Sequence, residues 1–253
     1  MIVTIQIIIA ECLPHVNQES DLTVPELKQI YQSAAERYHA LVNREDYQEN
    51  LLPAIQSAAP LENRDVLELG AGTGRVSCLI ATLVRSLVAG DISHHMLSLG
   101  KERLETLGLN NWHLSLESHR ELPFAAGCVD LVISGWSFCY AALDAETSWL
   151  PALEQALAEV KRVLRPGGML LLIESLGTGF ESPNRPDVLV DYLAYLDSHG
   201  FDSDWIRTDY CFMDEAEARE LTTFFFGDAP MPMWEADGGV IVPECTGLWW
   251  KTI

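Results

Sequence analysis

The sequence predicts an α/β fold, in which a doubly wound, seven-stranded mixed sheet carries helices on both faces and follows an N-terminal helical cap. The short apolar run Asp65–Leu69 ends in a turn with three glycines, and a second run, Leu87–Gly90, ends at the acid Asp91. Apolar runs that alternate with amphipathic helical segments are typical of parallel sheets. We expect residues 1–60 to form the extension and cap, and residues 61–253 to form the main domain.

The glycine turn has the spacing Gly-x-Gly-x-Gly, with Gly70, Gly72 and Gly74 at its three positions. Glycine lets a backbone pass close to a ligand, and an apolar helical pattern follows the turn. A strand, a glycine turn and a helix together make a nucleotide-type cradle. Arg75 occupies the last position of the dinucleotide fingerprint Gly-x-Gly-x-x-Gly, which argues against NAD and FAD, and the Gly-Lys-Ser/Thr of a phosphate-binding Walker loop is absent from the sequence.

Asp91 stands at the tip of the second strand, where an acid can accept hydrogen bonds from both ribose hydroxyls. With the run Leu67–Gly74, this arrangement resembles the class I S-adenosylmethionine (SAM)-dependent methyltransferases, which have a Rossmann-like fold. The resemblance implies SAM as the cofactor and S-adenosylhomocysteine as its product. The cofactor contacts that it implies are Glu68, Gly70, Ala71, Gly72, Gly74, Asp91, Ile92, Met96, Ser118, His119 and Ser134. For Ile92 and Met96, a role in the core is an equal alternative.

The loop before Leu122-Pro123-Phe124 departs from that family. Members carry Gly-Asp-Ala there, whereas this chain has Ser118 at the Asp position and His119 at the Ala position. The serine hydroxyl can still accept a hydrogen bond from the adenine amino group, but more weakly than a carboxylate. This departure favours the alternative of a SAM-binding protein without enzymatic activity.

Two helices are predicted before the first strand. One follows a capping box at residues 23–26, and the other covers residues 45–57 with Pro53 bending it. This segment is similar to the lead-in of the ubiquinone/menaquinone-type methyltransferases. Tyr31 and Tyr38 share one helix face, so we expect them to cover the cofactor; the alternative is an ordinary amphipathic helix.

The acceptor side of the site is predicted after the fourth strand, residues 128–134. Trp136, Phe138 and Tyr140 are candidate pocket walls, with plain packing as the alternative. A base is required only if the acceptor is protonated at neutral pH. The candidate catalytic bases are His119, Tyr140 and His113. For His119, stacking on adenine is a second alternative, and exposure to solvent is the interpretation that the sequence favours.

The C-terminal third shows a second family resemblance, in the Leu-Arg-Pro-Gly-Gly turn at residues 164–168, for which we expect a structural role. A strand is predicted at 169–173, another at 205–212, a loop at 229–239 and a last strand at 246–250. The family's fold ends in a hairpin of its sixth and seventh strands. An extra helix and the long loop are therefore expected between those two strands.

Composition excludes several partners. The 253 residues contain 16 Lys and Arg against 37 Asp and Glu, a net charge of −21, which disfavours nucleic acid and anionic membranes as partners.

Six cysteines without a Cys-x-x-Cys pair indicate buried core residues of a protein in a reducing cytosol, and no metal site is expected. The apolar start at residues 2–10 is too short to span a bilayer and lacks a basic region before it, so a cytoplasmic location is expected.

These observations predict methyl transfer from SAM to a small-molecule acceptor. The alternatives are an NAD(P)-linked oxidoreductase on the same fold, a non-enzymatic SAM-binding protein and a protein methyltransferase. Arg75 and the Leu-Arg-Pro-Gly-Gly turn argue against the oxidoreductase. The sequence does not specify the acceptor, its reacting atom or the oligomeric state.

Overall fold

The computed structural model describes residues 34–143, 148–228, 230–236 and 238–253. The helices are α1 (Ala35–Val42), α2 (Leu51–Ala58), α3 (Arg75–Ile80), α4 (His94–Thr106), α5 (Cys139–Leu143), α6 (Trp149–Val163), a 3-10 turn (Asp187–Leu189), α7 (Val190–Ser198) and α8 (Glu215–Phe226). The strands are β1 (Asp65–Leu69), β2 (Ser86–Asp91), β3 (Trp112–Leu116), β4 (Val129–Gly135), β5 (Leu164–Thr178), β6 (Asp202–Arg207), β7 (Tyr210–Phe212), β8 (Trp234–Ala236), β9 (Gly239–Val242) and β10 (Glu244–Thr252).

A seven-stranded sheet in the order β3-β2-β1-β4-β5-β10-β6 confirms the predicted fold class. Strand β1 lies between β2 and β4 and pairs parallel with both. Its apolar residues Val66, Leu67 and Leu69 are at most 1% exposed, as expected for a strand covered on both faces. The carboxyl ends of β1, β2 and β4 therefore meet at one edge of the sheet.

A second sheet, with the antiparallel order β7-β9-β8, was not predicted. The single strand predicted at 205–212 is wrong, because β6 and β7 belong to different sheets. Between them, the Asp209 carboxylate binds the Arg207 guanidinium and accepts the backbone N–H of Glu244. The predicted loop at 229–239 contains β8.

The second helix begins at Leu51 rather than at residue 45. Asp46 adopts a left-handed φ of 60°, and its carboxylate accepts the backbone N–H groups of Asn50 and Leu51. These bonds cap the helix and place Pro53 in its first turn, where proline is tolerated, rather than at a bend in its middle.

Side chains cap the N-termini of two other helices. The Ser93 side chain accepts from the Met96 N–H at the start of α4, and Asp214 accepts from the Glu217 N–H at the start of α8.

The chain divides into two compact units. One contains the described residues up to Leu51, together with 175–193 and 205–246; the other contains 52–174, 194–204 and 247–253. The first unit has a hydrophobic cluster of its own, formed by Leu41, Tyr210, Phe212, Ala218, Leu221, Val240 and Val242. The predicted boundary at residue 60 is not tested by this division and stays a prediction. Within the described ranges, no helix is long and apolar enough to cross a membrane.

The Leu-Arg-Pro-Gly-Gly turn ties the amino ends of β1 and β4 together. The Arg165 guanidinium lies 2.9 Å from the Asp65 carboxylate and 2.7 Å from that of Asp130, and Arg85 also bonds to both acids. A side chain at Gly168 would collide with backbone oxygens at about 3 Å. The strand predicted from Met169 begins at Leu164, so the turn itself belongs to β5.

We predict that Asp65→Asn lowers the free energy of unfolding by about 1–2 kcal/mol at pH 7, because it removes charge-assisted bonds that are partly exposed to solvent. The hydrogen bond from Arg85 holds the pKa of Asp65 well below its usual range. This stabilisation is therefore present above about pH 4 and is lost as the pH falls towards the lowered pKa of the folded state.

Urea unfolding at pH 7, 5 and 3 measures the effect. The exposed Glu62→Gln is the control, with an expected change below about 0.5 kcal/mol. An equal loss in both variants, or a loss for Asp65→Asn that does not shrink at pH 3, would contradict the prediction.

Candidate functional site

The glycine turn after β1 has left-handed backbone at all three glycines, with φ of 71° at Gly70, 54° at Gly72 and 78° at Gly74. A Cβ at Gly70 would lie 1.9 Å from the Ser137 Oγ, and one at Gly74 would lie 3.3 Å from the Gly100 Cα. Non-glycine residues are strained in this conformation. Backbone conformation thus favours glycine at all three positions, and a steric clash adds to it at Gly70. The following helix α3 has only six residues.

Asp91 joins the glycine turn to the tip of β2. One carboxylate oxygen accepts the Gly72 N–H at 2.8 Å and the other accepts the Ser93 N–H at 2.7 Å. A carboxylate has about four acceptor positions, so each oxygen keeps capacity for a further donor. Burial raises the pKa of Asp91, and the backbone bonds from Ser93 and Gly72 oppose that rise.

Two of the predicted contact residues are committed to the protein interior. Glu68 is 2% exposed and its carboxyl group accepts a short hydrogen bond from the Ser77 hydroxyl; burial raises its pKa to about 8. Ser134 is fully buried and donates to the Leu69 carbonyl at 2.9 Å. Both residues support the strand ends, and their polar groups already have protein partners.

An apolar surface lies at the tips of β2 and β3. Ile92 is 77% exposed and Leu116 is 61% exposed, which is unusual for large apolar side chains on adjacent strand ends. Met96 is buried, and its Cε lies 3.4 Å from the position of a Cβ on Gly72. Ala71 is buried and donates its N–H to the Gly90 carbonyl at 2.8 Å.

His119 lies over the glycine turn, 3.4 Å from the Ser137 Oγ and stacked on Phe138 at 5.7 Å between ring centroids. Burial lowers its pKa to about 4, so the imidazole is neutral at pH 7. Ser118 is half-buried, and its hydroxyl accepts the Arg120 N–H at 3.4 Å. The structure therefore brings His119, but not a carboxylate from position 118, to the turn.

Of the residues after β4 that were predicted as pocket walls, Trp136 and Tyr140 are partly accessible and Phe138 is buried. Trp136 has a left-handed φ of 51°, and the Arg75 guanidinium stacks on its ring at 4.2 Å. Such backbone in a bulky residue is a strained outlier that often marks a functional site. Tyr140 is half-buried, whereas Phe138 is fully buried, so packing is the role of Phe138.

Three other predicted residues lie elsewhere. His113 is exposed within β3 and pairs with Val88, three residues before the last residue of the strand. Tyr38 packs on Phe225 at 5.4 Å, inside the unit that contains α1 and α8. Tyr31 lies outside the described residues. The predicted cover over the cofactor therefore stays a prediction.

Sequence reasoning missed two residues at this edge. Ser137 contacts Gly70, and Glu117 lies over Gly90, where its Oε1 would be 2.5 Å from a Cβ. Glu117 could have been found from sequence, because it is an acid directly after a predicted parallel strand. Among the described residues, no group of three His, Cys, Asp or Glu side chains could hold a metal ion.

The fold and the turn define a class I SAM-dependent methyltransferase fold, and comparison with known proteins agrees. Residues 67–172, about two fifths of the chain, match the model of the methyltransferase domain family. This stretch holds the glycine turn, Asp91, Glu117 and His119, which together line the candidate site.

The two curated relatives described here are methyltransferases by name. The chain is 27% identical over 154 residues to the ubiquinone/menaquinone biosynthesis C-methyltransferase UbiE of Vibrio campbellii, an alignment that covers 55% of this chain and 56% of that protein. It is 35% identical over 124 residues to the malonyl-[acyl-carrier protein] O-methyltransferase of Methylococcus capsulatus, over 48% and 41% of the two chains. The chain thus spans about half the length of these curated relatives.

A crystal structure of a SAM-dependent methyltransferase from Aquifex aeolicus superposes with a TM-score of 0.52 at 15% identity, covering 92% of this chain and 100% of that one. At this identity the likeness concerns the fold alone.

Left-handed backbone costs a residue with a Cβ about 1–2 kcal/mol. We predict that Gly70→Ala destabilises the protein by more than this amount, because the alanine methyl group would also collide with Ser137. At Gly72 the nearest atom to a Cβ is the flexible Met96 Cε at 3.4 Å, so Gly72→Ala is the matched control and should lose only that backbone amount.

Urea unfolding measures both variants. The double variant Gly70→Ala/Ser137→Gly should recover the excess loss, since it removes the colliding side chain. The steric account is wrong if the two alanine variants lose equal stability, or if the double variant recovers nothing.

Proposed function

We propose that this protein transfers a methyl group from SAM to a small-molecule acceptor. The observation that carries the proposal is the Asp91 carboxylate, which fixes the glycine turn with one bond per oxygen and keeps acceptor capacity for the two ribose hydroxyls. The apolar surface of Ile92 beside it suits a flat nucleobase. The named activities of the relatives support the same reaction class.

The residues at the strand tips fit a nucleoside cofactor. Gly70, Gly72 and Gly74 leave the turn without side chains, Asp91 offers acceptors, and Ile92 and Met96 offer apolar contact. When bound, SAM supplies a methyl group on a sulfonium, which is already a good leaving group. The chain's own task is therefore to position the two reactants and to exclude water.

On the acceptor side we assign orientation rather than strong base catalysis to His119. A general base is most effective when its pKa is close to the working pH, and the pKa of His119 is lowered to about 4 by burial. The neutral ring can accept a hydrogen bond from an acceptor hydroxyl. Tyr140 and the Trp136–Arg75 stack are the other groups proposed to face the acceptor, while the position of His113 within β3 argues against a role for it.

The wider context is proposed on physical grounds. The net charge of −21 argues against nucleic acid and anionic membranes as partners. A cytoplasmic location is proposed from the six cysteines, which form no Cys-x-x-Cys pair. The relatives are named as C- and O-methyltransferases, so an acceptor search should contain both carbon and oxygen acceptors.

We predict that calorimetric titration shows binding of SAM and S-adenosylhomocysteine in the micromolar range, and that Asp91→Ala weakens it ten- to a hundredfold. A bond to a charged acceptor contributes about 1.5–3 kcal/mol, and one to a neutral hydroxyl about 0.5–1.5 kcal/mol. Ser118→Ala is the matched control and should have the smaller effect.

Circular dichroism must show that both variants are folded, because Asp91→Ala also leaves two backbone N–H groups without their acceptor. Binding of NAD without binding of SAM or S-adenosylhomocysteine would refute the proposal. SAM binding with no methyl transfer to any member of an acceptor panel would favour a non-enzymatic SAM-binding protein.

A further inference from the structure

Glu117 is a buried acid whose carboxyl group has no hydrogen-bond partner among the described residues. It follows the last residue of β3 and is 6% exposed. Burying such a group unpaired costs about 1–3 kcal/mol, so a partner beyond the described residues is expected, and a ligand is one such partner.

The position of this carboxyl group points to the cofactor region. The Glu117 N–H donates to the Asp91 carbonyl at 3.0 Å. The Glu117 side chain lies over Gly90, where a Cβ would collide with it, so only glycine leaves space for this side chain. Leu116, which directly precedes it, pairs with Asp91 and is exposed like Ile92. The unpaired oxygens therefore lie next to the proposed ribose acid and the apolar surface.

Asp91, at the tip of β2, is the titratable group whose charge acts on Glu117. Burial raises the pKa of Glu117 to about 8, and the charge of Asp91 adds to that rise. At pH 7 the group is therefore mainly a neutral carboxylic acid, which has one O–H donor and one carbonyl acceptor. An adenine edge presents the complementary pair, an amino donor beside a ring-nitrogen acceptor, which is why neutral amides bind it through two bonds.

We propose that Glu117 recognises the adenine of the cofactor as a neutral acid, its carbonyl oxygen accepting from the amino group and its O–H donating to the neighbouring ring nitrogen. The proposal rests on the proposed function, since it requires that the site binds an adenosyl cofactor. It places adenine recognition on a residue adjacent to Ser118, the position that the family resemblance assigns to it.

The first test is the pH dependence of S-adenosylhomocysteine affinity, measured by calorimetry. Wild type should lose about tenfold between pH 6.5 and 9, because only the protonated form binds and its population falls through a pKa of about 8. Glu117→Gln keeps the donor and acceptor at every pH, so it should bind within about threefold of wild type at pH 6.5 and lack this loss. The pH profile of the Glu117→Gln affinity also contains any titration of S-adenosylhomocysteine itself.

Glu117→Leu, which has neither donor nor acceptor, should lose about tenfold or more at pH 6.5. Glu68→Gln is the matched control, since Glu68 is also buried with a pKa of about 8; the wild-type pH loss should persist in it. A loss that persists in Glu117→Gln, or disappears in Glu68→Gln, overturns the proposal.

The second test separates base from ribose recognition with the 1-deazapurine riboside analogue of S-adenosylhomocysteine, whose base has neither the amino group nor the neighbouring ring nitrogen. Wild type and Glu117→Gln should prefer the adenosyl ligand by about tenfold or more, and Glu117→Leu should lose most of that preference. An unchanged preference in Glu117→Leu shows that Glu117 does not read the base. If wild type binds no S-adenosylhomocysteine at all, the proposed function itself fails.

Discussion

The Asp91 carboxylate is the group on which the rest of the site depends. Its two hydrogen bonds, to the Gly72 and Ser93 N–H groups, join the loop after β1 to the start of α4. The glycine turn has left-handed backbone at each glycine. Asp91 satisfies one donor in each loop, and the bond from the Ala71 N–H to the Gly90 carbonyl is a second link between the turn and β2.

The sequence predicted the fold class and the sheet well, and for local reasons. Strand β1, the glycine spacing and the caps at Ser93 and Asp214 are encoded within a few residues of where they act. The failures have non-local causes. The division between β6 and β7 depends on Asp209 binding the distant Glu244 N–H, and no periodicity within 205–212 reports that contact.

The candidate site shows the same limit. The role of Gly70 follows partly from Ser137, which is 67 positions later in the sequence, and that contact exists only because β1 and β4 are neighbours. Glu117 was readable as an acid at a strand end, but its lack of partners is a property of the folded chain. Residue type and spacing thus predict which groups reach the sheet edge, whereas tertiary packing decides which of them remain available to a ligand.

The unit that contains the three-stranded sheet lies outside the matched family region, residues 67–172. Its hydrophobic cluster combines Leu41 with residues 210–242, and its ion pair between Arg44 and Glu217 at 2.6 Å also joins distant segments. Since a shared fold does not transfer its substrates, the family match by itself assigns no role to this unit.

Electrostatics explains why three acids can share one sheet edge. Asp91 has hydrogen bonds to both oxygens, Glu68 is bonded to Ser77, and Glu117 has no bond within the described chain. The charge of Asp91 raises the pKa values of both Glu68 and Glu117 above the level set by burial. Both oxygens of Asp91 are held by backbone donors, whereas Glu68 and Glu117, with pKa values of about 8, stay mainly protonated at neutral pH. For the proposed adenosyl cofactor, this arrangement supplies acceptor oxygens for ribose and a neutral donor for the base at one edge of the sheet, and the protonated acids avoid like charges side by side in a buried site.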